Sequence, residues 1–273
     1  MIRTIYRACR SVYRNYIGYP LSTRQSVRRL LSKGLIEQVH CSSKSVFFKY
    51  GAATGLQARP YPHSDLHVLE QIILEEEYGF AIRWIKDRGL DQQALRIVDA
   101  GANVGYTSIY FLTAFPKASL LAIEPDPSTF RVLEHNLSCS TSVHRPRALH
   151  AALLSQSGIS VMIDRQAGDK KDWSFTVRPT TSSEGISSIC VKDLLQQTGW
   201  PHIDILKIDI EGSEADLFSA QADLAYLSSV RMILVEIHDD VADRRLIHLQ
   251  LAKNGFDIEE RSETTFAINK AFN

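Results

Sequence analysis

Apolar positions along this chain follow two rhythms. Short, largely apolar runs at Arg96–Val98, Leu120–Ile123, Leu149–Leu154, Ile203–Ile208 and Arg231–His238 predict strands covered on both faces, as in a parallel sheet. Between them, apolar residues recur three and four apart, the spacing of helices that bury one face. Helices are predicted at Asp65–Arg88, Tyr106–Phe115, Ser128–Leu137 behind a capping serine, Val191–Gln196, Ser213–Asp223 and Ala242–Lys253. Val46–Tyr50 reads as a short strand, Ile159–Ile163 with Phe175–Val177 as a hairpin, and Phe256–Glu260 with Thr264–Ile268 as the closing strands. The polar stretch Gln166–Asp172 reads as a loop. Strand and helix alternate, so the fold class is α/β.

The first strand ends in Asp99-Ala100-Gly101-Ala102-Asn103-Val104-Gly105, and a helix follows at once. Such a turn offers backbone N–H groups and the positive end of a helix at the carboxyl edge of the sheet. A dinucleotide loop needs three glycines, the second to let a pyrophosphate approach. Here Asn103 and Tyr106 occupy the second and third glycine positions. A ligand with a ribose and an amino-acid end but no phosphate fits better, and S-adenosylmethionine is one. Asp99 would meet its ammonium or a bridging water. Glu124, at the end of the second strand, would take both ribose hydroxyls.

The chain has 273 residues, 44% hydrophobic and 23% charged, enough for one substantial core and a smaller appendage. No apolar run approaches the ~18 residues that span a bilayer. Four scattered cysteines without a C-x-x-C pair argue against a zinc knot or a disulfide framework and fit a reducing, cytoplasmic setting. A net charge of zero gives no global field for nucleic acid.

That balance conceals a basic beginning. Arg3, Arg7, Arg10, Arg14, Arg24, Arg28, Arg29 and Lys33 precede the first acid, Glu37, and apolar residues from Ile2 to Ile17 have roughly helical spacing. A helix packed on its own domain or on a second subunit, as in a homodimer, is expected. At most it touches a membrane surface peripherally. Residues 1–60 are read as an extension and 61–273 as the main domain.

Strand parity sends Lys207, Asp209 and Glu211 to one side and Leu234, Glu236 and His238 to one side of the next strand. A buried lysine needs a partner, and Glu236 is the expected one. Asp209 and His238 end their strands where a ligand would lie. His238, with an ordinary pKa near 6.5, is the candidate general base for a hydroxyl acceptor, and Asp209 would orient it or hold the acceptor. Asp209, Glu211, Glu236 and His238 also offer donors for a divalent cation, but no fixed ligand spacing argues for one, and no metal is expected.

The segments VDAGANVGYTS, IEPDP, AALLSQSG, LKIDIEGSEADLF and VEIH occur in the order and spacing of FkbM-type methyltransferases, which this chain resembles from about Asp65 onward. The resemblance implies a Rossmann-like class I methyltransferase fold. Its sheet would have seven strands, mostly parallel with the last antiparallel, and helices on both faces. It also implies S-adenosylmethionine as cofactor and methylation of a hydroxyl on a saccharide or glycosylated product. Matched residue by residue, the cofactor contacts fall on Glu77, Tyr78, Asp99, Gly101, Asn103, Gly105, Glu124 and Asp209. Asp126-Pro127 departs from the family at a position where asparagine is common. The rival readings are a nicotinamide-dependent sugar oxidoreductase, disfavoured by the missing glycines, and a cofactor-binding scaffold without catalysis, disfavoured by Asp209 and His238.

Overall fold

A computed structural model describes residues 21–42, 44–164, 176–182, 184–261 and 263–272. The predicted basic helix before residue 21 and the polar loop Gln166–Asp172 lie outside them. The described chain begins with helix α1 (Leu21–Ser32), then an antiparallel meander of β1 (Glu37–Cys41), β2 (Val46–Tyr50) and β3 (Ala53–Ala58). Helices α2 (Asp65–Ile73) and α3 (Gly79–Asp87) follow. The sequence predicted one helix here. The break comes at Glu76, whose φ of 53° is left-handed, and the Glu75–Glu77 acid run forms the connection.

The main sheet contains β4 (Arg96–Ala100), β5 (Ser119–Ile123), β6 (Arg147–Leu149), β11 (Ile203–Ile208), β12 (Val230–Glu236), β13 (Phe256–Arg261) and β14 (Thr264–Asn269). Its order is β13-β14-β12-β11-β4-β5-β6, with β14 antiparallel to β12 and β13 antiparallel to β14. The seven strands, mostly parallel with the last in sequence reversed, match the expected class. Alternate residues serve opposite faces: Ile97, Ile205, Met232 and Leu234 join one buried cluster, and Val98, Leu206, Ile233 and Val235 join another. Both faces being covered explains why these strands read as continuous apolar runs.

Helices α4 (Tyr106–Ala114) and α5 (Pro127–Ser138) link the first three parallel strands. The cap of α5 is Asp126 and not Ser128: its carboxylate accepts the N–H groups of Ser128 at 3.0 Å and Thr129 at 2.8 Å. The predicted strand Leu149–Leu154 divides. Its first part stays in the main sheet as β6, and β7 (Ala152–Leu153) leaves for a small sheet with β8 (Ser160–Asp164), β9 (Thr176–Pro179) and β10 (Ile186–Ile189). Helix α6 (Val191–Thr198) leads to β11. The helix after β11 is one turn only, α7 (Glu214–Leu217), shorter than predicted, and α8 (Arg244–Lys253), capped by Asp243, packs behind β13.

The segment before residue 60 shares its core with the sheet. Val27, Leu30, Val46, Phe48 and Leu56 belong to the same buried cluster as Ile97 and Phe111. Asn136 fastens the join, accepting Gln57 N–H at 2.7 Å and donating to Gln57 O and Val104 O. The Tyr106 hydroxyl donates to the same Gln57 carbonyl at 2.8 Å. Phe48 is fully buried, and truncating such a side chain costs about 3–5 kcal/mol. Among the described residues no helix is long and apolar enough to cross a membrane.

Candidate functional site

Connections leave β4 toward β5 on one side, and β11 and β12 lie on the other. At such a switch point the loops after neighbouring strands part and open a crevice beyond their carboxyl ends. A cleft partly open to solvent occupies that place. Its lining includes Glu77, Tyr78, Gly101, Asn103, Glu124, Lys207, Asp209, Glu211 and Glu236.

One wall is made by backbone. Gly101 has φ +70°, and a Cβ there would stand 1.6 Å from the Asp209 carbonyl oxygen. Only glycine lets the β4 and β11 loops pass this closely. The N–H groups of Gly101 and Ala102 donate to Ile123 O, which folds the loop over β5. Asn103 is left-handed, φ 49°, and its N–H donates to Glu124 Oε2 at 2.9 Å; the Asp126 N–H donates to Oε1 at 2.8 Å. Burial pushes the Glu124 carboxyl up to about 7, and those two N–H donors oppose the rise. Glu124 is thus a rigid buried acid on the cleft wall, with acceptor capacity left for hydroxyl donors.

The opposite wall is made by charge. Lys207 and Asp99 are direct cross-strand partners, and Lys207 Nζ lies 3.3 Å from Asp99 Oδ1 and 3.4 Å from Asp209 Oδ2. It also donates to Gly101 O at 2.8 Å and Ala100 O at 3.3 Å. The predicted Lys207–Glu236 pair is therefore corrected. On the β12 side Lys207 is level with Leu234, two residues short of Glu236, so the acid beside it is on β4. Burial would lower the lysine's pKa, but Asp99 and Asp209 overcome this and raise it.

Glu77, Tyr78, Gly101, Asn103, Glu124 and Asp209 meet around the cleft. Asp99 does not line it: it is fully buried, with one oxygen near Lys207 and the other accepting the Ser108 hydroxyl at 2.6 Å. Gly105 does not line it either. Its φ of +89° turns the chain into α4, and a Cβ would press on Leu133 at 2.7 Å.

His238 also stands outside the lining. Its Nε2 is 3.3 Å from Glu211 Oε2 and its Nδ1 is 3.3 Å from Glu214 Oε1. Burial alone would lower its pKa, but the Glu211 and Glu214 contacts outweigh burial and raise it to about 11. At neutral pH the ring is an imidazolium, so the expectation of a free base at His238 does not survive this geometry.

From sequence, Glu236 has mainly a pairing role with Lys207, and beyond that only a place among possible cation donors. It lines the cleft, with no hydrogen bond or ion pair among the described residues, and the charge of Asp209, followed by burial, lifts it to about 8. Glu77 is raised by burial and then by Asp209. The available signal was parity: Glu236 and Asp209 end adjacent parallel strands. Asp209, Glu211 and His238 bring one ligand atom each within 4.8 Å of one another, spacing that suits a divalent cation. Two lining residues other than glycine, Asn103 and Glu211 (φ 54°), hold left-handed backbone, a strain that clusters at functional sites.

The sequence matches the family described as Methyltransferase FkbM domain over residues 99–258. It is similar to methyltransferase sdnD of Sordaria araneosa, 28% identical over 197 residues that make 61% of this chain and 76% of that one. It is also similar to the hexuronic acid methyltransferase AglP of Haloferax volcanii, 29% identical over 52% of this chain and 56% of the relative. Among solved structures, magnesium protoporphyrin IX methyltransferase from Synechocystis, with bound S-adenosylmethionine, aligns over 76% of this chain and 83% of its own, at 15% identity and TM-score 0.42.

Proposed function

Because the chain belongs to the FkbM methyltransferase family and uses S-adenosylmethionine, we propose that it methylates a hydroxyl oxygen, on a saccharide or a glycosylated product. The observation that carries this reading is Glu124, a buried cleft carboxylate held by two N–H groups with lone pairs to spare. A ribose diol supplies the donors that it lacks. Beside it, the close approach at Gly101 and the N-terminus of α4 leave no third glycine and no anion cradle of the dinucleotide kind. The residues therefore fit a nucleoside without phosphate.

When bound, S-adenosylmethionine supplies a methyl carbon activated by its sulfonium. Glu124 takes the ribose, and Glu77 with Tyr78 holds the amino-acid end. Lys207 fixes Gly101 and Asp209 in one frame through its bonds to both. Asp209 then accepts the proton of the acceptor hydroxyl. His238 acts through Glu211 and Glu214, as the cation that holds those acids in place. The saccharide reading draws support from the relative named a hexuronic acid methyltransferase.

Calorimetry of the full chain against S-adenosylhomocysteine and NAD tests the cofactor half. Heat with the first alone is expected, and heat with NAD alone overturns the reading. Transfer of labelled methyl to oxygen in a glycan panel, abolished by Asp209→Asn, tests the acceptor half. Unchanged turnover in that variant removes Asp209 from the mechanism.

A further inference from the structure

The charges around the cleft do not balance. Its described lining holds five carboxylates, Glu77, Glu124, Asp209, Glu211 and Glu236, and a single cation, Lys207. That cation is spent: only 2% exposed, it is shared among Asp99, Asp209 and two main-chain carbonyls. His238, outside the lining, sits between Glu211 and Glu214. Glu124 faces backbone donors, whereas Glu77 and Glu236 have no ion pair among the described residues and remain beside Asp209. A cofactor of net single positive charge reduces the excess without cancelling it.

From this we infer the electrical class of the acceptor: the reacting hydroxyl belongs to a molecule carrying a positive charge, an amino alcohol or amino sugar, and acceptors bearing a carboxylate or phosphate beside that hydroxyl are rejected. This inference rests on the methyltransferase reading of the same cleft and narrows it. An ammonium placed beside Glu236 gains a charged hydrogen-bond acceptor and relieves the repulsion between Glu236 and Asp209. A carboxylate in the same place meets no free cation among the described residues, so its lost hydration goes uncompensated.

Three two-carbon alcohols that differ only in charge test this on the full chain loaded with S-adenosylhomocysteine: ethanolamine, ethylene glycol and glycolate. The readout is the methyl NMR signal of Ile210, which lines the cleft. Titrations run at neutral pH and constant ionic strength, with EDTA and then with Mg²⁺. In EDTA, ethanolamine should shift the signal at roughly tenfold lower concentration than glycolate, with ethylene glycol between them. The variant Glu236→Gln should collapse that spread. Equal response to all three, no response to any, or a spread that survives Glu236→Gln overturns the inference. So does glycolate gaining strength with Mg²⁺, since the acids would then hold a divalent ion that presents an anion. Failure of S-adenosylhomocysteine itself to bind appears before any alcohol is added and fails the methyltransferase reading, and this inference with it.

Discussion

Glu124 and Glu236 are both cleft acids at strand ends, yet they are held in opposite ways. Glu124 is buried against two N–H donors that the loop aims at it, so its charge, once formed, is met. Glu236 is half-buried against Asp209, another carboxylate, so its charge is opposed. The first wall is prepared for a ligand that donates hydrogen bonds. The second stores repulsion that a ligand or a proton must relieve. A cleft of this kind separates the group held constant in every turnover from the group that changes.

The deepest way to break the comparison is to remove the residue joining both walls. Lys207→Met leaves Asp99, fully buried, facing Asp209 without a cation, and removing one partner of a buried pair costs about 3–5 kcal/mol. Thermal unfolding should move down by roughly 6–20 °C for a chain of this size. A melting curve that overlays the wild type would show that the ammonium is not what holds the loop.

Gly101→Ala attacks the backbone wall directly. Its Cβ meets a carbonyl oxygen at 1.6 Å in left-handed backbone, so a strand end must move, at a cost of about 3 kcal/mol. The expected result is lost S-adenosylhomocysteine binding in a protein that still shows native far-UV dichroism. Retained binding at native affinity would mean the two loops do not pass as closely as described. Close in size is Glu124→Ala, which should weaken S-adenosylhomocysteine by about a hundredfold in Kd, two hydrogen bonds to a charged group being worth about 3 kcal/mol. Since Glu124 ionises near 7, wild-type affinity should fall as pH drops below that value, and Glu124→Gln should flatten the profile. An unchanged slope in that variant assigns the titration to another group.

The backbone wall was the legible one. Asp99 to Gly105 and the acid at 124 are close in sequence to the strands that carry them, and strand-loop-helix geometry follows from local pattern. The charged wall was not, because it depends on which strands are neighbours. Lys207 was expected beside Glu236, but two strands flank β11, and the register with β4 supplies Asp99 directly. His238 was read from its residue type and strand end, while its chemistry is set by Glu214, which comes from a helix of one turn that pattern made too long. Glu236 was given a structural role and emerges on the cleft instead. The break between α2 and α3 was hidden too, since Glu76 takes left-handed backbone that no glycine announces.

The smallest predicted effect separates the walls most cleanly, because its sign is opposite to that of an ordinary site mutation. Glu236 in the folded chain ionises near 8, above the ordinary glutamate value of 4.5. Between those pH values the unfolded chain surrenders the proton while the folded chain keeps it, so stability falls as pH rises through that window. Above about pH 8 the repulsion with Asp209 is fully present. Glu236→Gln removes it, so the variant should match wild type near pH 5 and exceed it above pH 8. The expected gain is about 1–2 kcal/mol once solvent screening of a half-buried pair is allowed for. Thermal melts across pH 5–9 would read this as curves that start together and diverge by roughly 3–6 °C. A variant that melts below wild type at every pH would mean that Glu236 is met by a cation after all, and that the two walls are built alike.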